Sequence, residues 1–256
     1  MTIVSQLVLL VALLLLWEFG SGPPGQPGVF IDIFAMSKPS EIWGALATYA
    51  ERGVLWSNIA VTYKITLIGF VIGALIGFVF GLVLGLNRYL AAVLSPFIAA
   101  LYSTPRLALI PVFILWFGIG DGSKIALVAS VVLFLVFFAT FAGVKDVDSE
   151  ILDRMRLMRA NGFDIGRKAI LPSATNHIIE GLSVSGPMAL VAAVTAEMLS
   201  SNSGMGFLLV RAAGQFDTAG VFASITVLAI MGSLLMGVTK VAETRLLRWR
   251  ATPRTN

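Results

Sequence analysis

Cysteine is absent from this chain of 256 residues, and histidine occurs once, at His177. Disulfides and thiolate metal sites are therefore excluded, and a single imidazole cannot build a metal cluster by itself. Charge is scarce too, because 12% of the residues are Asp, Glu, Lys or Arg while 57% are hydrophobic. This is not the composition of a water-soluble domain, so the chain is predicted to be an integral membrane protein.

The sequence contains several long runs of apolar residues. A bilayer core about 30 Å thick needs roughly 20 apolar residues per helical span, and the runs here are too long for barrel strands. An all-α fold is therefore predicted. The first run lacks a basic start and a clear A-x-A cleavage site, which favours a retained helix over a secretory signal. About six transmembrane helices are predicted, near residues 3–17, 58–86, 93–117, 124–144, 178–199 and 221–239.

The chain divides into three parts of different character. Residues 1–57 are predicted to hold an N-terminal transmembrane helix and an extracytoplasmic amphipathic linker that contains Trp43 and Trp56. Residues 58–245 are predicted to form a core of five transmembrane helices, in which a polar loop at 145–177 separates the fourth and fifth spans. Residues 246–256 form a basic tail.

Lysine and arginine are distributed unevenly around these spans. They are concentrated in the 145–177 loop and after residue 239, whereas the opposite side holds few. The positive-inside rule therefore places the loop in the cytoplasm, and an even number of spans places both termini there as well. The same distribution accounts for the net charge of +4, so nucleic acid is not expected as a partner.

Five glycines in the second span stand four residues apart. This spacing places them on one face of a helix, where they form a bare ridge that another helix can approach closely. A helix-packing role is predicted for the set: Gly69, Gly73, Gly77, Gly81 and Gly85.

The 145–177 loop has the pattern of a docking surface. Helix-compatible residues 153–160 are followed by a break at Asn161-Gly162 and by a second helical piece that ends at Leu171-Pro172. Asn and Gly tolerate the left-handed conformation that ends a helix, and proline restricts the residue before it. Two short helices joined at a sharp corner are predicted.

At these residues the chain resembles the permease subunits of bacterial ATP-binding-cassette importers, in the branch that includes the nitrate, sulfonate, taurine and bicarbonate permeases. The resemblance extends over about residues 58–245, including Leu115-Trp116-Phe117-Gly118-Ile119-Gly120 and Ala196-Glu197-Met198-Leu199. It implies a MetI-like fold in the bacterial inner (plasma) membrane. In that family the loop carries a Glu-Ala-Ala motif followed by a glycine, and it docks into a groove on the ATPase.

This chain departs from the motif, since Asp153 stands for the Glu and Arg159 stands for the Gly. An arginine in a left-handed position costs about 1 kcal/mol or more, so the corner is predicted to have moved to Asn161-Gly162. The residues expected to dock the ATPase are Asp153, Arg154, Arg156, Arg159, Ala160, Asn161, Gly162 and Phe163.

The resemblance also implies the partners. They are two ATPase subunits, a second copy of this permease or a paralogous permease, an extracytoplasmic solute-binding protein, and membrane lipid. The sequence contains no G-x-x-x-x-G-K-[ST] loop and no recognisable catalytic motif. The chain is therefore expected not to be an enzyme and to bind no cofactor itself, with ATP and Mg²⁺ held by the partner ATPase.

A basic residue in the third span marks a possible solute pathway. Arg106 lies beside a proline, and a buried cation there could help an anion cross. The alternative is that Arg106 snorkels, or pairs with Glu197 or with a freed backbone carbonyl. A small organic or inorganic anion is expected as solute, such as a sulfonate, nitrate, bicarbonate or aromatic carboxylate. The predicted pathway residues are Tyr102, Ser103, Thr104, Arg106 and Glu197.

A stand-alone secondary transporter or channel is the alternative function. Such proteins bury coupling carboxylates at mid-membrane, whereas the acids here, including Glu18, Glu180 and Glu197, are expected near span ends, where water or headgroups satisfy them. Lys64 is expected to snorkel to the outer surface. His177 is expected to serve helix-boundary packing rather than pH sensing.

Overall fold

In the computed structural model, which describes residues 2–20 and 37–246, all regular elements of the described chain are helical. A 3₁₀ turn at Arg106–Leu109 and a π-helical turn at Gly166–Ile170 interrupt the α-helices. The α-helices are α1 (Thr2–Gly20), α2 (Pro39–Glu51), α3 (Val54–Leu86), α4 (Arg88–Ser103), α5 (Ile110–Phe117), α6 (Asp121–Lys145), α7 (Ser149–Leu157), α8 (Gly162–Ile165), α9 (Leu171–Ser200), α10 (Met205–Gly214) and α11 (Thr218–Leu246).

Four helical runs within the described residues are long and apolar enough to cross a bilayer. They are α3, α6, α11 and the 39-residue run Gly162–Ser200. The pair of α4 and α5 makes a fifth crossing if it is counted as one span, although it is bent by 90° at its break. With the 19-residue α1, the prediction of an all-α membrane protein with about six spans is confirmed. The linker at 21–36 and the tail at 247–256 lie outside the described residues.

The helices form two compact units. One contains the described residues up to Thr62 together with Glu197–Met231, and the other contains Tyr63–Ala196 and the described residues from Gly232 onward. The boundary therefore passes through α3, α9 and α11, each of which contributes residues to both units.

The glycine ridge of α3 packs directly on α6, as predicted. A Cβ atom built at Gly69 would lie 2.5 Å from Val128 Cβ, and one at Gly73 would lie 2.8 Å from Val132 Cβ. At Gly77 the added carbon would collide with the carbonyl oxygen of Leu133. Gly81 and Gly85 meet α6 in the same way further along the helix. Only a hydrogen atom fits between the two backbones, so these glycines set the distance between α3 and α6.

In the unit that contains the described residues up to Thr62, polar and aromatic contacts join α1, α2 and the start of α11. The Ser40 hydroxyl donates to Glu18 at 2.7 Å, and the Trp17 and Phe222 rings meet edge-on at 5.9 Å. Tyr49 donates its hydroxyl to the Asp217 carboxylate at 3.3 Å. Burial, reinforced by that carboxylate, raises the pKa of Tyr49 above its usual value. These contacts hold the amphipathic α2 in place.

Two features of the fold differ from the sequence-based expectations. The helix after the loop does not stop at Leu171-Pro172, because the π-helical turn lets Leu171 N–H bond the Gly166 carbonyl and leads into α9. A π turn shifts the hydrogen-bond register, so a proline without an N–H can sit in a continuing helix. Helix α10 was missed because its ten residues are too few to register as a span.

Candidate functional site

The connection between α6 and α9 forms a bent structure, here called the elbow and defined as Ser149–Ile170. Its first helix, α7, is capped by the Asp148 side chain, which accepts the Glu150 N–H at 2.8 Å. Its second, α8, is capped by Asn161, which accepts the Asp164 N–H at 2.7 Å. A side chain that caps a helix in this way fixes where the helix starts. The predicted pair of helices joined at a corner is therefore present.

The position of the corner was predicted wrongly. Arg159 has a φ of +57°, in the left-handed region, whereas Asn161 is extended and Gly162 opens α8. The Arg159 N–H bonds the Arg156 carbonyl at 2.9 Å, and the Ala160 N–H bonds the Met155 carbonyl at 3.0 Å. These two bonds form a Schellman motif, the helix ending that ordinarily uses glycine. The elbow thus bends where the family has its glycine, and it bears the roughly 1–2 kcal/mol that a left-handed arginine costs.

One face of the elbow is anchored in the protein. Leu152 and Ile165 pack against a buried apolar cluster formed by the ends of α6 and α9, with Val144, Ile170 and Ala174 at its centre. Because both elbow helices contribute to this cluster, the angle between them is held by packing as well as by capping.

Three large apolar side chains next to the corner are exposed. Leu157 is 84% exposed, Met158 81% and Phe163 74%, although they belong to an otherwise polar segment. Three large apolar side chains grouped around a fixed corner are typical of a protein-binding surface.

Most of the predicted docking charges are already paired within the elbow. Arg154 contacts Glu150 at 3.2 Å, and Arg156 contacts Asp153 at 2.9 Å. Lys168 contacts Asp164 at 2.8 Å. Among the described residues no carboxylate lies within ion-pair distance of Arg159, whose side chain is exposed. Arg159 is therefore the predicted docking cation with the most freedom to meet a partner's charge.

The second predicted site lies where α4 and α5 are broken. Pro105 is extended at the break, and Arg106 begins the 3₁₀ turn that follows. Arg106 Nη1 donates to the Ser130 carbonyl at 2.7 Å, and its guanidinium lies 4.0 Å above the Phe134 ring. Arg106 therefore contacts a backbone carbonyl and an aromatic ring, and it does not pair with Glu197. The hydroxyls of Ser103 and Thr104 both bond the Ala100 carbonyl, within the end of α4.

Glu197 belongs to a different cluster from the other predicted pathway residues, and it is 1% exposed. Its Oε2 accepts the Thr62 hydroxyl at 2.9 Å and the Gly206 N–H at 2.9 Å. The expectation that headgroups or water satisfy this acid is wrong, because protein groups do so.

Glu197 is part of a cap on the first residues of α10. The Met205 N–H bonds Thr62 Oγ1 at 2.8 Å, and the Gly204 N–H bonds Asn58 Oδ1 at 2.6 Å. The Gly206 N–H bonds Glu197, so side chains of α3 and α9 accept hydrogen bonds from three consecutive backbone N–H groups at the start of α10. Gly204 has a φ of +101° and touches the Glu197 carboxylate, so a side chain does not fit there.

Sequence reasoning had missed Asn58 and Thr62, although two polar side chains four residues apart at the start of an apolar span could have indicated them.

Sequence reasoning also missed Asp121. The Lys64 ammonium, expected only to snorkel, lies 2.9 Å from Asp121 Oδ2, and the buried Lys124 lies 3.8 Å from Oδ1. Asp121 thus lies near two lysines, one on α3 and one on its own helix α6.

His177 occupies the second turn of α9. A Cβ built at Gly143 would lie 2.8 Å from His177 Cβ, and His177 Nε2 lies 3.3 Å from Asp146 Oδ2. This close contact between α6 and α9 agrees with the expected packing role at the helix boundary.

Comparison with known proteins connects these features to a family. The chain belongs to the binding-protein-dependent transport system inner membrane components, whose family description matches residues 69–248. It is a transmembrane permease subunit of an ATP-binding-cassette importer, and in this class ATP is hydrolysed by separate ATPase subunits. The alternative of a stand-alone secondary transporter or channel does not hold.

Relatives with curated descriptions support this assignment. The chain is 35% identical to the putative aliphatic sulfonates transport permease protein SsuC of Escherichia coli (strain K12), over 84% of this chain and 81% of that protein. Its counterpart in Bacillus subtilis (strain 168) is 33% identical, over 77% and 72% respectively. The riboflavin transport system permease protein RibX of Chloroflexus aurantiacus is 31% identical, over 96% and 90%.

Solved structures support the fold. An inward-facing structure of the MetNI methionine ABC transporter matches with a TM-score of 0.67 at 17% identity, and the match covers 78% of this chain and 97% of that chain. At this identity the likeness establishes the fold alone. The predicted MetI-like fold is confirmed.

Proposed function

We propose that the elbow is the surface through which the partner ATPase drives this permease, and that the transported solute is a small anion. The uncovered apolar face of Leu157, Met158 and Phe163 is the observation that carries the first part. Such a face costs free energy in water unless a partner covers it. Because its other face is anchored on α6 and α9, a force on the elbow reaches two membrane-crossing helices directly.

Charge supports the orientation that this role needs. Lys145, Arg159 and Arg167 belong to the elbow side of the protein, and the basic residues after residue 239 follow the last span. Under the positive-inside rule the elbow and both termini then lie in the cytoplasm, where an ATPase is found.

The remaining partners follow from the same proposal. ATP and Mg²⁺ bind to the ATPase subunits, of which there are two, and a second permease, either identical or paralogous, completes the membrane part. A solute-binding protein delivers the solute from outside, and lipid surrounds the exposed apolar helices. Arg106 supports an anion as the solute, because a cation at a helix break inside a span favours negative charge nearby. Aliphatic sulfonates, the solutes in the names of two relatives, are anions of this kind.

Replacing one apolar side chain of the elbow tests the docking proposal. Phe163→Asp is expected to abolish co-purification with the partner ATPase, because it places a charge within the apolar contact. Phe163→Leu keeps the face apolar and is expected to retain most of the association. The measurement is ATPase recovered per permease, together with solute-stimulated ATP hydrolysis.

Phe216→Asp is the matched control, because Phe216 is exposed to the same degree, at 76%, on the loop before α11. It is expected to leave ATPase recovery unchanged. Wild-type recovery and coupling in Phe163→Asp would disprove the docking role of the elbow.

A further inference from the structure

A pocket opens between the end of α3 and the elbow. Its volume is about 440 Å³, within the roughly 300–1,000 Å³ of small-molecule sites. Leu82 and Leu86 of α3 line it, together with Phe163, Gly166 and Arg167 of the elbow. Arg167 is the one charged residue among the described residues that line the pocket. An apolar interior is thus combined with a single positive charge.

Arg167 has no ion-pair partner among the described residues, and its side chain is exposed. The adjacent Lys168 differs in both respects that matter, because it contacts Asp164 at 2.8 Å and does not line the pocket. Arg88, two positions beyond Leu86, adds a second exposed cation close to the α3 wall. This charge favours an anionic ligand.

The α3 wall of the pocket continues into the surface that faces lipid. Val79, Leu82, Val83 and Leu86 recur at helical spacing on one face of α3, and all but Leu82 are exposed. Leu86 is also roughly 33 Å along the helix from Lys64, at 1.5 Å per residue, which is close to the thickness of a hydrocarbon core. With Lys64 near the outer surface, the pocket lies at the headgroup level of the cytoplasmic leaflet.

We propose that this pocket binds an anionic phospholipid of the cytoplasmic leaflet, with an acyl chain in the apolar interior and the phosphate on Arg167; this rests on the orientation given in the proposed function. A guanidinium presents parallel N–H groups that match phosphate oxygens. A zwitterionic phospholipid carries an ammonium that competes with Arg167 for its phosphate. The anionic lipid is therefore favoured by roughly fivefold, which corresponds to the about 1 kcal/mol of one basic residue at a membrane surface.

A lipid in this pocket touches α3 and the elbow together. Leu82 already packs against the buried cluster that anchors the elbow, so the lipid chain adds a second set of contacts between the same elements. Phe163 lines the pocket and is still mostly exposed, which leaves part of its ring for the ATPase. The lipid thus supports the docking corner from the membrane side.

Native mass spectrometry of the full-length permease, purified without the ATPase, measures lipid preference. Phosphatidylglycerol and phosphatidylethanolamine with identical acyl chains are titrated separately. The unmodified permease is expected to bind the first phosphatidylglycerol roughly fivefold more tightly. Arg167→Gln is expected to reduce this ratio to about one. Lys168→Gln is the matched control, which removes an equal charge next to the pocket and is expected to keep the preference.

A phosphatidylglycerol with a diazirine on its acyl chain locates the bound lipid. Irradiation and peptide mapping are expected to find it attached to the segments that contain Leu86 and Leu171, which both line the pocket. Gly166→Leu is expected to remove most of these adducts. Gly166 has right-handed helical backbone angles and an added Cβ meets nothing within 4 Å, so a leucine there occupies pocket volume without strain. Gly237→Leu, also directed into open space, is expected to leave the adducts unchanged.

A phosphatidylglycerol preference that survives Arg167→Gln would overturn the proposal, and so would the absence of adducts from both segments. Loss of ATPase recovery in Arg167→Gln with an unchanged lipid preference would also overturn it, and would assign this arginine to the ATPase contact. The lipid assays contain no ATPase, so a failure of the docking proposal leaves them unchanged. The orientation is measured separately, by labelling Ser149→Cys, the sole thiol of that variant, from each side of oriented vesicles.

Discussion

Removing the Thr62 hydroxyl tests the buried cap of α10 with little change of shape. In Thr62→Val a methyl group replaces the hydroxyl, and two contacts are lost together. One is the hydrogen bond to Glu197 Oε2, and the other is the bond that the hydroxyl accepts from the Met205 N–H. Thr62 is completely buried, so water cannot replace either bond.

The cost follows from these two contacts. Leaving a buried donor or acceptor unsatisfied costs about 1–3 kcal/mol, so the pair is expected to lower the free energy of unfolding by roughly 3 kcal/mol. For a protein of this size that corresponds to a drop in Tm of roughly 6–12 °C. The assay is thermal unfolding of the purified protein in detergent, followed by tryptophan fluorescence and by the monodisperse fraction on size exclusion.

Thr226→Val is the matched control, because the exposed Thr226 hydroxyl bonds only the Phe222 carbonyl of its own helix. It is expected to change Tm by about 2 °C or less. If Thr62→Val melts at the same temperature as Thr226→Val, the reasoning that α10 depends on this cap is refuted.

Two further predictions concern the helix packing and the pathway. Gly77→Ala is expected to destabilise the protein by about 1–3 kcal/mol, because its methyl group would collide with the Leu133 carbonyl. In the control Gly237→Ala the methyl group meets nothing within 4 Å, so this variant is expected to be neutral or stabilising. Equal melting temperatures of the two variants would contradict the packing role of the glycine ridge. Arg106→Gln is expected to lower solute uptake at least about tenfold while leaving ATPase recovery intact, because it removes the cation at the break. Arg106→Lys is expected to retain part of the uptake, and unchanged uptake in Arg106→Gln would remove this residue from the pathway.

Much of the membrane architecture could be predicted because it depends on composition and periodicity. The glycine repeat of α3 specified a close-packed partner, and the structure supplies α6. The break near Pro105 could also be predicted, because proline disfavours helical geometry in the residue before it. The 90° bend at that break could not be predicted, since it depends on where α4 and α5 pack.

The polar clusters were beyond sequence reasoning, because they depend on residues far apart in the chain. Thr62 and Glu197 are 135 positions apart, and their pairing is set by the path of α3 and α9. The corner of the elbow was misjudged for a related reason. Conformational preference disfavours a left-handed Arg159, yet capping by Asn161 and packing of Leu152 and Ile165 outweigh a cost of about 1–2 kcal/mol.

The continuous helical run Gly162–Ser200 gives the permease a rod of 39 residues, about 58 Å long at 1.5 Å per residue. Such a rod is nearly twice as long as the hydrocarbon core is thick, so under the proposed docking a push on Phe163 would enter the bilayer without a loop in between. Its softer points are the π-helical turn at Gly166–Ile170 and Pro187, where the regular backbone ladder is disturbed. Under the proposed docking, motion that starts at the elbow is therefore divided between these two joints of the run.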